Sequence, residues 1–265
     1  MGTYLLLYHA LDLPSEPVRR GCAADRNIVV DGEQFRQQLA CLGRLGLRVV
    51  PLEHATIAGM PPPDGDHVVL TFDDGHRSNW WLALPVLVEA NVTATFYVVA
   101  GFVDKDSEYL TSAQLREMAA HKMLIGSHSM THRWLPELDP RELRRELVDS
   151  RARLEDIVQR PVLDFALPGG HFNRRVMEAA RECGYRSVAT CKVGVYRTGD
   201  DPFRLPRLEI RRGLSPEGFR STFQRSKLVQ LQLLEAGKAC LRSVCGLPTY
   251  GRLRRFAHRH FVLDR

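Results

Sequence analysis

The amino-acid sequence predicts an α/β fold built on a parallel β-sheet, either open or closed into a barrel. Short apolar runs alternate with amphipathic stretches along most of the chain, which is the pattern of repeated β-α units. At 265 residues, the chain has the length of one large α/β domain, or of one domain with an appendage. Chemically reactive side chains recur where the predicted strands end, and in a closed barrel those ends meet at one mouth.

The apolar runs predict seven strands, with helices between most of them. The strands cover residues 4–8, 48–51, 67–72, 93–99, 123–126, 162–167 and 187–190. The helices cover residues 34–45, 78–90, 113–121, 173–183 and 215–244, and a long helix opens after Asp139. Local signals mark several helix ends. Thr111 and Gln114 form a capping box, Pro140 follows an N-cap residue, and Gly184 is placed for a C-cap.

Two segments at predicted strand ends carry metal-binding and acid–base side chains. Asp73 and Asp74 precede Gly75 directly after a buried strand, which indicates a tight turn with carboxylates at its tip. His128 and His132 lie four residues apart after another apolar run. One carboxylate and two imidazoles make a three-ligand site with room for water, as catalytic zinc uses. The second carboxylate is then free to act as a general base.

These segments resemble the polysaccharide deacetylases, the NodB-homology or carbohydrate esterase 4 family. The resemblance rests on TFDDG at 71–75, TATF at 93–96, HSMTH at 128–132 and FALPGG at 165–170, in the order typical of the family. It extends from about Tyr4 to about Tyr185. It implies an irregular seven-stranded (β/α) barrel, which we place over residues 1–214. The residues themselves predict a helical basic C-terminal extension over residues 215–265.

The resemblance also implies roles for the four central residues. Asp74, His128 and His132 would bind a divalent metal, with zinc expected and Co²⁺, Ni²⁺ and Fe²⁺ left open. Asp73 would deprotonate the attacking water. The physical chemistry agrees, because a metal ion keeps a neighbouring carboxylate ionised and ready to accept a proton.

The proton for the leaving amine needs a separate donor. Many relatives take it from a late L-x-H sequence, and none follows Tyr185 in this chain. In a subgroup that deacetylates bacterial exopolysaccharides, the acid lies on the first strand in a Tyr-His sequence, which Tyr8-His9 matches. His9 is therefore the expected acid, held by a carboxylate or carbonyl partner. The alternative is that His9 has only a structural role in the core.

The third family segment departs from the common pattern. Ala166 stands where most relatives have an arginine that contacts the base, and Arg207 is the residue expected to reach the base from another strand. Pro168 and Gly169 would still form the oxyanion and substrate contact, through the Gly169 backbone N–H.

Composition and charge restrict the partners. The chain has 44% apolar and 26% charged residues and a net charge of +6. Fourteen Lys and Arg against five Asp and Glu lie from Asp201 onward, so the basic excess belongs to the tail. No nucleic-acid-binding signature accompanies it, and we expect no nucleic-acid partner. We expect either a solvated helix or a peripheral membrane contact through the tail.

The six cysteines include no C-x-x-C pair, and the N-terminus lacks the pattern of a signal peptide. These features predict a cytoplasmic protein, peripheral at the inner membrane face if the tail binds lipid.

Three functions are compatible with these patterns. The first is metal-dependent removal of an N-acetyl or related N-acyl group from an amino sugar of a polysaccharide or its precursor. The second is a deformylase or deacetylase of a lipid-linked sugar at the cytoplasmic membrane face. The third is a non-catalytic carbohydrate-binding barrel, which Ala166 favours and the intact Asp73, Asp74, His128 and His132 oppose.

Overall fold

The computed structural model describes residues 2–15, 18, 26–57, 64–234 and 236–237. The strands of this part of the chain are β1 (Thr3–Tyr8), β2 (Leu11–Asp12), β3 (Val30–Asp31), β4 (Arg48–Val49), β5 (His67–Phe72), β6 (Thr95–Val98), β7 (Leu124–Ser127), β8 (Asp164–Ala166), β9 (Ser187–Ala189) and β10 (Leu208–Glu209). The α-helices are α1 (Gly32–Arg44), α2 (Glu53–Thr56), α3 (Leu84–Glu89), α4 (Ser112–Ala120), α5 (Pro140–Val158), α6 (Arg174–Glu182) and α7 (Pro216–Ser221).

The predicted α/β fold is confirmed as a parallel sheet that curls into a half-barrel with helices. Its hydrogen-bonded order is β10-β1-β5-β6-β7-β8-β9, and β4 pairs with the beginning of β5 beside that path. The strand pairs of this sheet run parallel, so their carboxyl ends lie at the same edge. Side chains that follow different strands are therefore brought together at one mouth.

Residues 205–210, which were not among the seven predicted strands, contain β10 and connect β9 at one end of this path with β1 near the other. Leu205 accepts a hydrogen bond from Thr190 and donates one to the carbonyl of Val188, next to β9. Three residues later β10 pairs with β1, with Leu208 opposite Leu6. A two-residue strand is too short to give a periodicity signal in the sequence.

Two apolar clusters belong to the core of the half-barrel. The inner apolar cluster joins one residue from each of β1, β5, β6, β8 and β9 with Leu205, and includes Leu5, Val69 and Tyr97. The outer apolar cluster packs the inner face of α5 and α6 against β8 and β9, and includes Leu143, Leu147, Phe165 and Val188.

Several predicted helix ends are confirmed. The Thr111–Gln114 capping box precedes α4, and Asp139 caps α5 with Pro140 in the first turn. Gly184 follows α6 in the left-handed conformation, at φ 79°. The predicted helix at 78–90 begins differently, because residues Asn79–Ala83 form a π-helix before α3 continues it.

The prediction of one continuous helix over 215–244 is wrong within its described part. Helix α7 ends at Ser221, and residues 225–234 are helical after a break. The side chains of Ser221 and Thr222 both bond to the carbonyl of Gly218, and such bonds compete with helix continuation. The rest of the predicted helix, 238–244, lies outside the described residues.

The chain divides into two compact units, Met1–Thr222 and Phe223–Arg265. The predicted boundary lies after residue 214, and α7 belongs to the first unit. Among the described helices, none combines the length and the apolarity that a membrane crossing would need.

Candidate active site

The turn after β5 places two carboxylates side by side at the mouth of the half-barrel. The N–H of Asp73 donates to the carbonyl of Tyr8 at 2.9 Å, which ties the turn to β1. Asp74 and Gly75 both adopt left-handed backbone, at φ 74° and 76°. Asp tolerates this conformation better than most residues, and a Cβ at Gly75 would lie 2.9 Å from Val98 Cγ1. The turn therefore needs the Asp-Asp-Gly sequence for its shape as well as for its charges.

The loop after β7 presents the two histidines. The N–H of His128 donates to the carbonyl of Val98 at 2.8 Å, and its Nδ1 lies 2.9 Å from the carbonyl oxygen of Ala166. Because that oxygen can only accept, Nδ1 carries the proton and Nε2 keeps its lone pair. Ser129 and His132 have positive φ angles of 67° and 61°, and the Ser129 hydroxyl accepts from the N–H of His132 at 3.0 Å.

Asp74, His128 and His132 converge on one point. Asp74 Oδ1 lies 3.5 Å from His128 Nε2 and 3.3 Å from His132 Nε2, and one donor atom from each residue lies within 4.8 Å of the others. Donors around a four-coordinate zinc ion, at ~2.1 Å from it, are about 3.4 Å apart. The two distances from Asp74 match this value, and the three side chains together fit a divalent metal ion.

A buried ion pair adjoins this cluster. Arg207 donates from Nη1 to Asp73 Oδ1 at 2.6 Å and from Nη2 to Oδ2 at 2.8 Å, and both residues are almost fully buried. The guanidinium also donates from Nε to the carbonyl of Thr190 at 2.9 Å. Arg207 was the residue expected to reach the base, and the missed strand β10 follows it immediately. The planar fork of arginine matches a carboxylate in this way.

The electrostatics keep both carboxylates ionised. Burial alone would raise the pKa of Asp73, but the charge and hydrogen bonds of Arg207 hold that pKa below its ordinary value. Burial likewise opposes ionisation of Asp74, yet the neighbouring imidazoles of His128 and His132 hold its pKa well below the usual range. Asp73 can therefore accept a proton at neutral pH. Its negative charge is balanced by the fixed guanidinium of Arg207.

Ala166 contributes to the site through its backbone carbonyl. Its methyl group belongs to the inner apolar cluster, and its carbonyl oxygen fixes the tautomer and orientation of His128. The following residues, Pro168–Gly170, form a short 3-10 turn with Gly169 at φ 63°. The N–H of Gly170 donates to Leu167 at 2.9 Å, and the assignment of the oxyanion contact to Pro168 and Gly169 stays a prediction.

His9 follows β1 at the same edge of the sheet. Its carbonyl accepts from Asn79 Nδ2 at 2.8 Å. After burial and the two histidines, a positive charge on its ring is a smaller influence that lowers the pKa of Asp74. The expected carbonyl or carboxylate partner of the ring is not found: within the described residues, Nδ1 is buried without a hydrogen-bond partner.

One residue of this site was missed by the sequence analysis. Glu146 on α5 is buried, and its Oε2 accepts from the N–H groups of Met130 at 2.8 Å and Thr131 at 2.9 Å. Its Oε1 accepts from the Thr131 hydroxyl. A sequence signal existed, because Glu146 shares the buried face of α5 with Leu143 and Ser150. A charged residue on an apolar helix face indicates a buried partner.

Comparison with known proteins gives a consistent result. Residues 61–188 match the family model described as polysaccharide deacetylase. The chain is 31% identical over 128 residues to the peptidoglycan-N-acetylglucosamine deacetylase of Bacillus cereus, covering 48% of this chain and 57% of that protein. It is 31% identical over 126 residues to the chitooligosaccharide deacetylase of Rhizobium leguminosarum bv. trifolii, covering 47% and 56%. The chain thus spans little more than half the length of these two relatives.

A solved structure is similar over a larger part of the chain. The Streptococcus pyogenes deacetylase PplD, in complex with acetate, superposes with a TM-score of 0.75 and 25% sequence identity. The match covers 84% of this chain and 99% of that one. The likeness therefore includes the half-barrel as well as the segment that matches the family model.

Proposed function

Because residues 61–188 match the polysaccharide deacetylase family, we propose that the chain is a member of it and hydrolyses the N-acetyl or a related N-acyl group of an amino sugar in a polysaccharide or its precursor. The observation that carries the proposal is the Asp74–His128–His132 cluster beside the Arg207-paired carboxylate of Asp73. This hydrolysis needs both a set of metal ligands and an ionised general base. A barrel that only binds sugar needs neither.

The metal site suits zinc best, with Co²⁺, Ni²⁺ and Fe²⁺ as alternatives. Two neutral imidazoles and one carboxylate are a ligand set that catalytic zinc enzymes use. When bound, the cation supplies Lewis-acid chemistry, which polarises the amide carbonyl and makes water a better nucleophile at neutral pH. The protein's part is to present one oxygen and two Nε2 atoms at the right separations, with the His128 tautomer set by the Ala166 carbonyl.

Asp73 acts as the general base. It accepts a proton from the attacking water, and Arg207 keeps it ionised until then. The tetrahedral oxyanion that forms needs a hydrogen-bond donor, and we assign this to the backbone N–H of Gly169, after Pro168.

His9 donates a proton to the leaving amine. Its place directly after β1, at the same edge of the sheet as the Asp73–Asp74 turn after β5, supports this assignment. We expect His9→Ala to keep its metal and its fold and to lose kcat on amide substrates more than on activated esters, whose leaving groups need no proton. Equal losses of kcat on both substrate types would contradict the assignment.

The function is tested with zinc-loaded full-length protein and N-acetylglucosamine oligomers, by measuring released acetate. Asp73→Asn should bind metal and oligomer and lose roughly 10²–10⁴ in kcat, because it removes proton transfer but no ligand. His128→Ala should lose its stoichiometric metal. Turnover near that of the wild type in Asp73→Asn, or one tight metal per chain in His128→Ala, would overturn these roles.

A further inference from the structure

We propose that Trp134, together with the ring of His171 and the Gly169 backbone, forms a sugar-binding platform at the rim of the site. The exposed indole would stack on the apolar face of a pyranose ring. This ring would be the neighbour, in the oligomer, of the sugar that is deacylated. This inference rests on the proposed function and deepens it, because it makes an oligomer of amino sugars, and not a free monosaccharide, the preferred substrate.

Trp134 is close in sequence to the metal cluster. It follows His132 by two residues and precedes the short 3-10 helix Leu135–Glu137. The backbone on its far side is anchored, because Leu135 is fully buried in the outer apolar cluster. The guanidinium of Arg175 donates to the carbonyls of Pro136 at 3.1 Å and Leu138 at 2.6 Å. The indole therefore projects from a fixed segment, which lowers the entropy lost when a ligand binds to it.

The indole touches the turn that follows Ala166. Its ring centroid lies 4.6 Å from that of His171, with the ring planes inclined by 43°. A Cβ added at Gly169 would lie 3.3 Å from Trp134 Nε1 and 3.2 Å from His171 Cδ2. The Gly169 backbone is thus in close contact with the aromatic pair, and the proposed oxyanion donor and the platform form one continuous surface.

The exposure of Trp134 is what needs an explanation. The residue is 45% exposed, and the other large apolar side chains of the described residues with comparable exposure are aliphatic. These are Leu45, Ile57, Val88, Val229, Leu233 and Leu234. This indole packs against a histidine ring and a glycine, follows the histidine loop in the chain, and keeps nearly half of its area open, so it is placed to bind a ligand.

The chemistry of an amino sugar suits this surface. One face of a pyranose ring presents mainly C–H bonds, whose hydrogens carry small positive charges. The face of an indole carries negative potential, so the two attract each other as well as excluding water. The sugar hydroxyl groups point outward from the ring and can stay hydrated or meet polar side chains. Such a contact binds sugar rings without distinguishing between their substituents.

The test compares Trp134→Ala and Trp134→Phe with Leu45→Ala, which removes an apolar side chain of similar exposure elsewhere. Zinc-loaded full-length proteins are assayed on β-1,4- and β-1,6-linked tetramers of N-acetylglucosamine. We expect Trp134→Ala to raise KM for the accepted tetramer at least ~10-fold, and Trp134→Phe, which keeps an aromatic face, less than ~3-fold. Leu45→Ala should leave KM unchanged.

A second measurement does not depend on the stability of the alanine variant. Binding of the tetramer to the Asp73→Asn protein should change its tryptophan emission, and the change should be lost when Trp134→Phe is added.

Acetate release with an unchanged KM in Trp134→Ala, or an emission change that survives Trp134→Phe, would overturn the platform and leave the proposed function standing. Failure of the wild-type protein to bind or deacetylate either tetramer would overturn the platform, and absence of release from every amino sugar would overturn the function itself.

Discussion

At the scale of single residues, the Asp73–Arg207 pair decides the charge state of the site. Both residues are almost fully buried and joined by two hydrogen bonds of 2.6 and 2.8 Å. A buried carboxylate without such a partner would protonate or destabilise the fold. The arginine therefore serves stability and chemistry together, and substitutions can separate the two effects.

We predict that Arg207→Met raises the pKa of Asp73, because burial remains and the cation is gone. The acidic limb of the pH profile of kcat/KM should then move to higher pH, and the free energy of unfolding should fall by about 3–5 kcal/mol. Arg207→Lys keeps the charge and should move the limb less. As a control, Arg181→Met removes a partly exposed partner of Asp201 and should cost no more than about 1 kcal/mol. An unmoved limb in Arg207→Met would show that the cation does not govern the base.

His67 at the start of β5 gives a pH dependence of stability. It is 1% exposed, and within the described residues neither ring nitrogen has a hydrogen-bond partner. Burial first, and then the charge of Arg48, lower its pKa from the ordinary value near 6.5. Below that value the unfolded chain binds a proton that the folded chain resists, so acid favours unfolding.

We therefore predict that the free energy of unfolding falls as the pH drops from about 6.5, by at most ~1.4 kcal/mol per pH unit from this one group. The fall ends once the pH is below the pKa of His67 in the folded protein. In His67→Leu this component should be absent, so that urea denaturation between pH 7.5 and 5.5 gives a shallower slope. Parallel slopes for the two proteins would contradict the prediction.

At the scale of elements, the sheet aligns strand ends, and helix α5 then shapes the loop that carries the histidines. The loop has left-handed backbone at Ser129 and His132, a conformation that β-strands and helices do not supply. The carboxylate of Glu146 holds it through two N–H groups and one hydroxyl. Outer groups of this kind orient the side chains that bind a metal.

We predict that Glu146→Gln weakens zinc binding by about 10–100-fold, because an amide has one accepting oxygen where the carboxylate uses two. The measurement is zinc affinity by competition with a chelator, at a temperature where both proteins are folded. Asp149→Asn makes the same chemical change on an exposed position of α5 and should leave the affinity unchanged. An unchanged zinc affinity in Glu146→Gln would limit this residue to a stabilising role.

At the scale of the whole molecule, charge is unevenly distributed along the chain. The net charge is +6, while residues from Asp201 onward carry fourteen basic and five acidic side chains. The most basic part of this tail, near Arg252, Arg254 and Arg255, lies outside the described residues. We propose that this region contacts an anionic membrane surface, which would place the protein at the inner face of a membrane.

This proposal predicts binding to vesicles that contain phosphatidylglycerol, and release as salt screens the attraction. Replacement of Arg252, Arg254 and Arg255 by Gln should reduce sedimentation with the vesicles. Replacement of the exposed Arg141, Arg144 and Arg145 on α5 removes the same charge elsewhere and should have a smaller effect. Absence of binding at low salt, or equal losses in both triple variants, would contradict a contact through the tail.

By itself, the sequence determined the alternation of strands and helices, the helix caps and the four residues Asp73, Asp74, His128 and His132. These features have local causes, because periodicity, capping and turn chemistry act over a few residues and leave a legible pattern. The tertiary structure decided the rest. It showed that Arg207, 134 residues from Asp73, reaches that carboxylate as expected, and that Glu146 holds the histidine loop. It also left the ring of His9 without the partner expected for it within the described residues. Such contacts depend on the curvature of the sheet and on which strand ends meet, and no local stretch of sequence encodes that geometry.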